Sequence, residues 1–264
     1  MKENLIRKRL NEKKPTASTR MWSPWAFYTE VVGDSGNFDY VEFVAEYAPF
    51  AQADLENIAR AAELYRMGSM IKVDFQNRAY VAQKAVASGF QAVLFADHHT
   101  PDEVRESIRF LKADSPEYGG RYGCPSRRFI GSQIYIPQIE HAKRLNDVVA
   151  AFMIEKREAM ENIEEICSIP GVDMVQFGPS DYSMSMGHNS ADYREEWREA
   201  ERRMIRTALK YSVRPRCEIQ KPEEMQYYIN LGVMDFSMGD QLKKLRELWF
   251  DDGKRMRKTV EQLK

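Results

Sequence analysis

The feature that most limits what this chain can fold into is an alternation of short β-rich runs with longer amphipathic stretches. The runs are TASTRMW (16–22), DYVEFVAEY (39–47), SMIKVDF (69–75), AVLFADH (92–98), VAAFMIE (149–155), DMVQFG (173–178), PRCEIQ (215–220) and DFSMGD (235–240). Most are near-continuously apolar, as strands read when both faces of a parallel sheet are covered. Between them lie helical patterns such as DLENIARAAELYRMG, TPDEVRESIRFLKA and KREAMENIEEICSIPG. In the first of these, spacings of three and four put Leu55, Ile58, Ala62 and Tyr65 on one face. Gly68, Gly89, Gly171 and Gly232 each precede a run, where a left-handed residue ends a helix. Eight such units in about 250 residues predict an α/β fold of the (β/α)8 TIM-barrel type. An open doubly wound sheet is the rival, but no GxGxxG follows the first run. No low-complexity linker or short-period repeat divides the chain, so residues 1–264 are expected to form a single domain.

Composition narrows the partners. The formal net charge is −1, which removes a broad electrostatic case for nucleic acid or an anionic membrane. Basic residues are mixed with acids in runs such as REEWREAERR, which reads as a solvated helix face. No apolar run approaches the roughly 20 residues that a membrane-spanning helix needs, and MKENLIRKRLNEKK lacks the apolar centre of a secretory signal. Cys124, Cys167 and Cys217 lie far apart with no CxxC pair, so free thiols and a cytoplasmic location are expected.

In a barrel, chemistry sits where strands end. The polar residues there are Arg20, Glu46, Tyr47, Lys72, Asp74, Asp97, His98, His99, Glu155, Asp181 and Glu218. Glu155 closes an otherwise apolar run, and Asp181 follows the next run across a Gly-Pro-Ser turn. A single strand-end acid is more commonly a helix cap or a surface group. Two at consecutive strand ends converge on one mouth, and such oxygen donors suit octahedral Mg2+ or Mn2+ better than Zn2+; Co2+ can use the same set. Gly178 would let the backbone approach a ligand and Pro179 would fix the bend. The amides of Ser180 and Asp181 would then be free to meet a carboxylate.

The joined segments MIEKREAMENIEEICSIPGVD and GVDMVQFGPSDYSMSMG resemble the HpcH/HpaI aldolase family. FDYVEFVAEYAP, SGFQAVLF and YGGRYG extend the resemblance more weakly over most of the chain. It implies a metal-dependent (β/α)8 barrel, commonly a homohexamer with its C-terminal helix exchanged between subunits; a trimer is the other oligomer in view. The implied reaction makes or breaks a carbon–carbon bond next to a pyruvate-like enolate, with a 2-oxo acid and an aldehyde as substrates and no organic cofactor. Carried over, the metal ligands are Glu155 and Asp181. The substrate carboxylate meets Gly178, Pro179, Ser180 and Asp181, and Glu46 holds water on the metal.

The chain also departs from the family pattern. Tyr47 stands where the family has histidine, Lys72 where it has arginine, and Val44 where it has aspartate. Proton transfer therefore needs other groups. His98 and His99 are the candidates for acid and base, since histidine exchanges protons near neutral pH. A solvent-facing or structural pair is the alternative. Arg20 could replace the missing arginine, and Lys72 keeps the charge without the forked geometry. Tyr47 could donate to an oxyanion, although its ordinary pKa near 10 makes it a poor base. A condensing enzyme of the citrate-synthase kind, or an oxo-acid binder without turnover, are alternatives on the same scaffold. His141 reads as exposed and His188 as a loop histidine.

Overall fold

The computed structural model describes residues 3–124, 128 and 136–263. Eight parallel strands close a barrel in sequence order, the last pairing with the first. They are β1 (Thr16–Met21), β2 (Tyr40–Val44), β3 (Gly68–Val73), β4 (Ala92–Phe95), β5 (Val149–Ile154), β6 (Met174–Phe177), β7 (Arg214–Ile219) and β8 (Asp235–Asp240). Each of the eight runs supplies one strand. A helix, α1 (Leu5–Asn11), precedes the barrel. The connections carry α2 (Ala26–Asp34), α3 (Gln52–Leu64), α4 (Arg78–Ser88), α5 (Pro101–Leu111), α6 (Gln138–Asn146), α7 (Arg157–Glu161) and α8 (Ile163–Ser168). Then come α9 (Pro179–Ser185), α10 (Arg194–Lys210), α11 (Met225–Asn230) and α12 (Gln241–Arg246). A π-helical turn, Glu247–Asp252, joins α12 to α13 (Gly253–Glu261). No helix among the described residues is long and apolar enough to cross a membrane.

Successive strand residues face opposite ways, and burial sorts them into two apolar cores. One lies between strands and helices and includes Val41, Phe43, Ile71, Val93, Phe95, Phe152 and Val175. The expected face of α3 joins it through Leu55, Ile58 and Ala62, while Tyr65, just past the helix end, is 38% exposed. The second core fills the barrel with Tyr40, Met70, Leu94, Ala151, Met153 and Met174. Ile6 of α1 packs into it, so the N-terminal helix closes the floor. Arg7 holds that helix in place by pairing with Asp173 at 2.6 Å, and Asn4 donates to the carbonyls of Gln91 and Asp147. Gly89, Gly171 and Gly232 adopt the expected left-handed backbone. Gly68 does not; it opens β3, and Arg66 takes the positive φ of 56° instead.

Among the described residues, a charged pair lies wholly inside the barrel. Arg216 of β7 meets Glu42 of β2 at 2.5 Å, both buried. The same guanidinium donates to Tyr40 Oη, Ser18 Oγ and Gln176 Oε1. Breaking one half of such a pair strands a charge in a dry interior. Glu42→Leu should therefore cost about 3–5 kcal/mol in urea unfolding, whereas Glu42→Leu with Arg216→Met should recover at least half of that loss.

Glu201 of α10 is also buried and accepts hydrogen bonds from Tyr228 Oη at 3.2 and 3.3 Å. Burial pushes its pKa up from 4.5 to about 7. The folded chain then binds this proton more tightly than the unfolded chain does. The associated stability is complete below about 4.5 and falls as pH rises towards about 7. Glu201→Gln should remove that slope, raising stability at pH 8 by on the order of 2 kcal/mol and leaving pH 4 unchanged.

Candidate active site

The carboxyl ends of β2 to β6 bring one charged cluster together. Glu155 follows β5 at the position that continues the inward series Val149, Ala151 and Met153. Its side chain is buried, and Oε1 accepts the Asp97 amide at 2.9 Å. A Cβ added to Gly178 would lie 2.5 Å from Glu155 Oε2, so the carboxylate rests directly on that glycine. Glu46, Asp97 and Glu155 each place a carboxylate oxygen within 4.8 Å of the others. Lys72 Nζ lies 2.5 Å from Glu46 Oε2, and Lys156 Nζ lies 2.6 Å from Asp97 Oδ1. Asp181 stands beside this triple across Lys156, 3.9 Å from its Nζ.

Burial and charge set the proton affinities. Burial pushes Glu155 up to about 7 despite the nearby Lys72 ammonium. Glu46 is raised for the same reason, again against Lys72. For Lys72, burial pulls downward, but Glu155 and Glu46 outweigh it and hold the ammonium above the ordinary lysine value. Lys156 is raised too, Asp97 overcoming burial. Four carboxylates thus face two ammonium groups, an excess of two negative charges when all are ionised. The donors are hard oxygens, and their number, charge and convergence fit a hard divalent cation.

The Gly-Pro-Ser turn becomes the start of α9. Gly178 is the N-cap, Pro179 the first helical residue, and Asp181 sits in the first turn. Tyr182 makes the first bond back to Gly178, so the amides of Ser180 and Asp181 have no intrahelical acceptor. Tyr47 sits at the rim, 65% exposed and stacked on Trp22 with ring centroids 6.5 Å apart. Burial and the charge of Glu46 raise it to about 12, so it keeps its proton and remains a donor.

The histidine expectation needs correction. His98 is 1% exposed, with Nδ1 at 2.9 Å from Ala96 O and Nε2 at 2.7 Å from Ser107 Oγ. Phe75, Phe95 and Phe152 surround the ring edge-on. Burial, then the Arg78 cation, lowers it to about 4. A neutral ring boxed in this way between strand and helix has no path to exchange protons at the mouth. His99 faces outward, its Nδ1 at 3.2 Å from Glu158 Oε2. Arg20 is committed elsewhere on the rim, to Glu218 at 2.6 Å and Asp240 at 3.2 Å, which weakens its case as the replacement arginine. Asp74 accepts the Asn77 amide in a turn. His141 is not exposed but 2% accessible, with Nε2 at 3.1 Å from Gly123 O. His188 lies in a loop as expected, where it is exposed and stacks on Tyr193. Sequence reasoning missed Lys156; its signal was a lysine directly after the strand-end glutamate.

The family model for HpcH/HpaI aldolase/citrate lyase matches residues 37–214, which include Glu46, Lys72, Asp97, Glu155 and Asp181. The chain belongs to that family. Membership makes it an enzyme of the aldolase type, a carbon–carbon lyase. It is 24% identical over 245 residues to a 4-hydroxy-2-oxo-heptane-1,7-dioate aldolase of Escherichia coli, covering 90% of this chain and 88% of the relative. A hydroxypyruvate/pyruvate aldolase of Sagittula stellata is 28% identical over 152 residues, 57% of this chain and 58% of that protein. The fold matches the crystal structure of an HpcH/HpaI aldolase from Desulfitobacterium hafniense with a TM-score of 0.85 at 19% identity, covering 96% of each chain.

Within this family site the closest steric constraint is Gly178 under Glu155. Gly178→Ala should displace the carboxylate and weaken Mn2+ binding, measured by calorimetry, by at least about tenfold. Circular dichroism should show the barrel unchanged.

Proposed function

We propose that the chain makes or breaks a carbon–carbon bond next to the enolate of pyruvate or a closely related 2-oxo acid, with an aldehyde as the other half. The observation that carries this reading is the buried Glu155 carboxylate, set among converging carboxylate oxygens that outnumber the two ammonium groups beside them. Glu155 and Asp181 would hold Mg2+ or Mn2+, and Co2+ can use the same oxygen ligands. Such an ion supplies Lewis-acid polarisation of the oxo group.

The remaining work falls to the chain's own groups. The amides of Ser180 and Asp181 bind the substrate carboxylate at the start of α9, and Gly178 and Pro179 shape that approach. Lys72 brings a fixed positive charge beside the cluster, as a point contact where the family has a fork. Glu46, paired with Lys72 and raised by burial, is placed to take up and return a proton through water. Tyr47 donates from the rim to oxygen on the departing half. His98 has no place in this scheme. The relatives support the substrate class by their names alone, and the aldehyde is left open.

Residues 1–264 form one barrel domain that works in the cytoplasm as a homo-oligomer, a hexamer or a trimer. Leu248, Trp249, Phe250, Met256 and Val260 are exposed along the C-terminal helix. An apolar face of that size supports exchange of the helix with a neighbouring subunit.

Exchange of pyruvate methyl protons for deuterium, followed by NMR, tests the enolate step without knowledge of the aldehyde. Exchange should stop when the protein is stripped with a chelator and return with Mg2+ or Mn2+. Glu155→Gln and Asp181→Ala should each lower it by at least about a hundredfold. Undiminished exchange in Asp181→Ala would end this reading.

A further inference from the structure

We propose that Asp97 is a third protein carboxylate at the divalent-ion site, and that the Lys156 ammonium competes with the ion for Asp97 and Asp181. This rests on the reading of the mouth as a divalent-ion site. It concerns the two residues there that the family resemblance did not assign.

Asp97 lies in the segment after β4, and its position is tied to the ligand shell twice over. Its amide donates to Glu155 Oε1 at 2.9 Å, and its carboxylate is one of three whose oxygens lie within 4.8 Å of one another. The backbone is left-handed, φ 60°, which is uncommon outside glycine. The surroundings hold that conformation in place.

Lys156 follows Glu155 directly, in the link between β5 and α7. Its Nζ is 2.6 Å from Asp97 Oδ1 and 3.9 Å from Asp181 Oδ1, so one positive charge already lies between two carboxylates. An ammonium and a metal ion satisfy the same acids, and both cannot sit there without mutual repulsion. Glu46, the other member of the triple, is less available. Lys72 neutralises it from within the strand, where Glu155 and Glu42 add to the hold on that lysine. Hard divalent ions take about six oxygen ligands. Asp97 shares the oxygen triple with Glu155, and Lys156 sets how readily it is given up.

Mn2+ titration of the full chain, followed by electron paramagnetic resonance of the free ion, reads this without reference to turnover. Asp97→Asn should weaken Mn2+ binding by about tenfold or more, and asparagine tolerates the left-handed backbone. Lys156→Gln should tighten it by at least about threefold, because a competing charge is removed. A residue that merely supports the fold cannot produce that tightening. Should Asp97→Asn fail to fold, the Lys156→Gln arm decides alone. Parental binding with an unchanged Asp97→Asn, or a Lys156→Gln variant that binds no tighter, overturns this inference and leaves the site reading intact. A parent with no saturable Mn2+ binding overturns both.

Discussion

The arrangement turns on one carboxylate pressed against a residue with no side chain. Glu155 sits at the end of a strand whose inward residues are otherwise apolar, and Gly178 leaves the room its Oε2 needs. Burial alone would protonate such an acid; Lys72 on one side and the Asp97 amide on another make the ionised form tolerable. The charged groups gathered around it follow from that placement. Lys72 needs Glu46 as a second partner, Asp97 brings Lys156, and Lys156 reaches towards Asp181. The cluster is a chain of partial compensations that ends with negative charge in excess. A hard cation resolves that excess with the donors at hand.

A second polar layer lies deeper in the same barrel. Glu42 and Arg216 place a buried ion pair beneath Lys72, and Tyr40, Ser18 and Gln176 use most of the guanidinium's remaining donors. Isolated buried pairs add little net stability. This one joins β2 to β7 across the barrel interior. It also carries negative charge close enough to strengthen the protonated state of Lys72. The barrel interior is therefore apolar around Met70, Leu94, Ala151 and Met174 and charged from Glu42 and Arg216 up to its mouth.

Much of this was legible from residue order. Strand runs stood out because both faces of each strand are covered, so most of them are near-continuously apolar. Glu155 and Asp181 stood out because Glu155 closes a wholly apolar run and Asp181 follows the very next run across its Gly-Pro-Ser turn. Histidines were harder to read. His98 sits beside Asp97 in the chain, yet its ring turns into a box of phenylalanines while the Asp97 amide meets Glu155. Adjacent residues at a strand end face opposite ways, and the left-handed turn at Asp97 that sorts them left no mark in the sequence. His141 went the same way, its ring buried against the Gly123 carbonyl.

Sequence by itself determined the eight-fold alternation, the strand that ends in Glu155 and the turn that opens at Gly178, because these are local patterns of apolar period and backbone freedom. Tertiary structure alone decided which charges meet. Lys156 with Asp97, Glu42 with Arg216 and Arg20 with Glu218 are pairs separated by 59, 174 and 198 positions along the chain. Ion pairs act over a few ångströms of space, and only closure of the barrel brings those ångströms about.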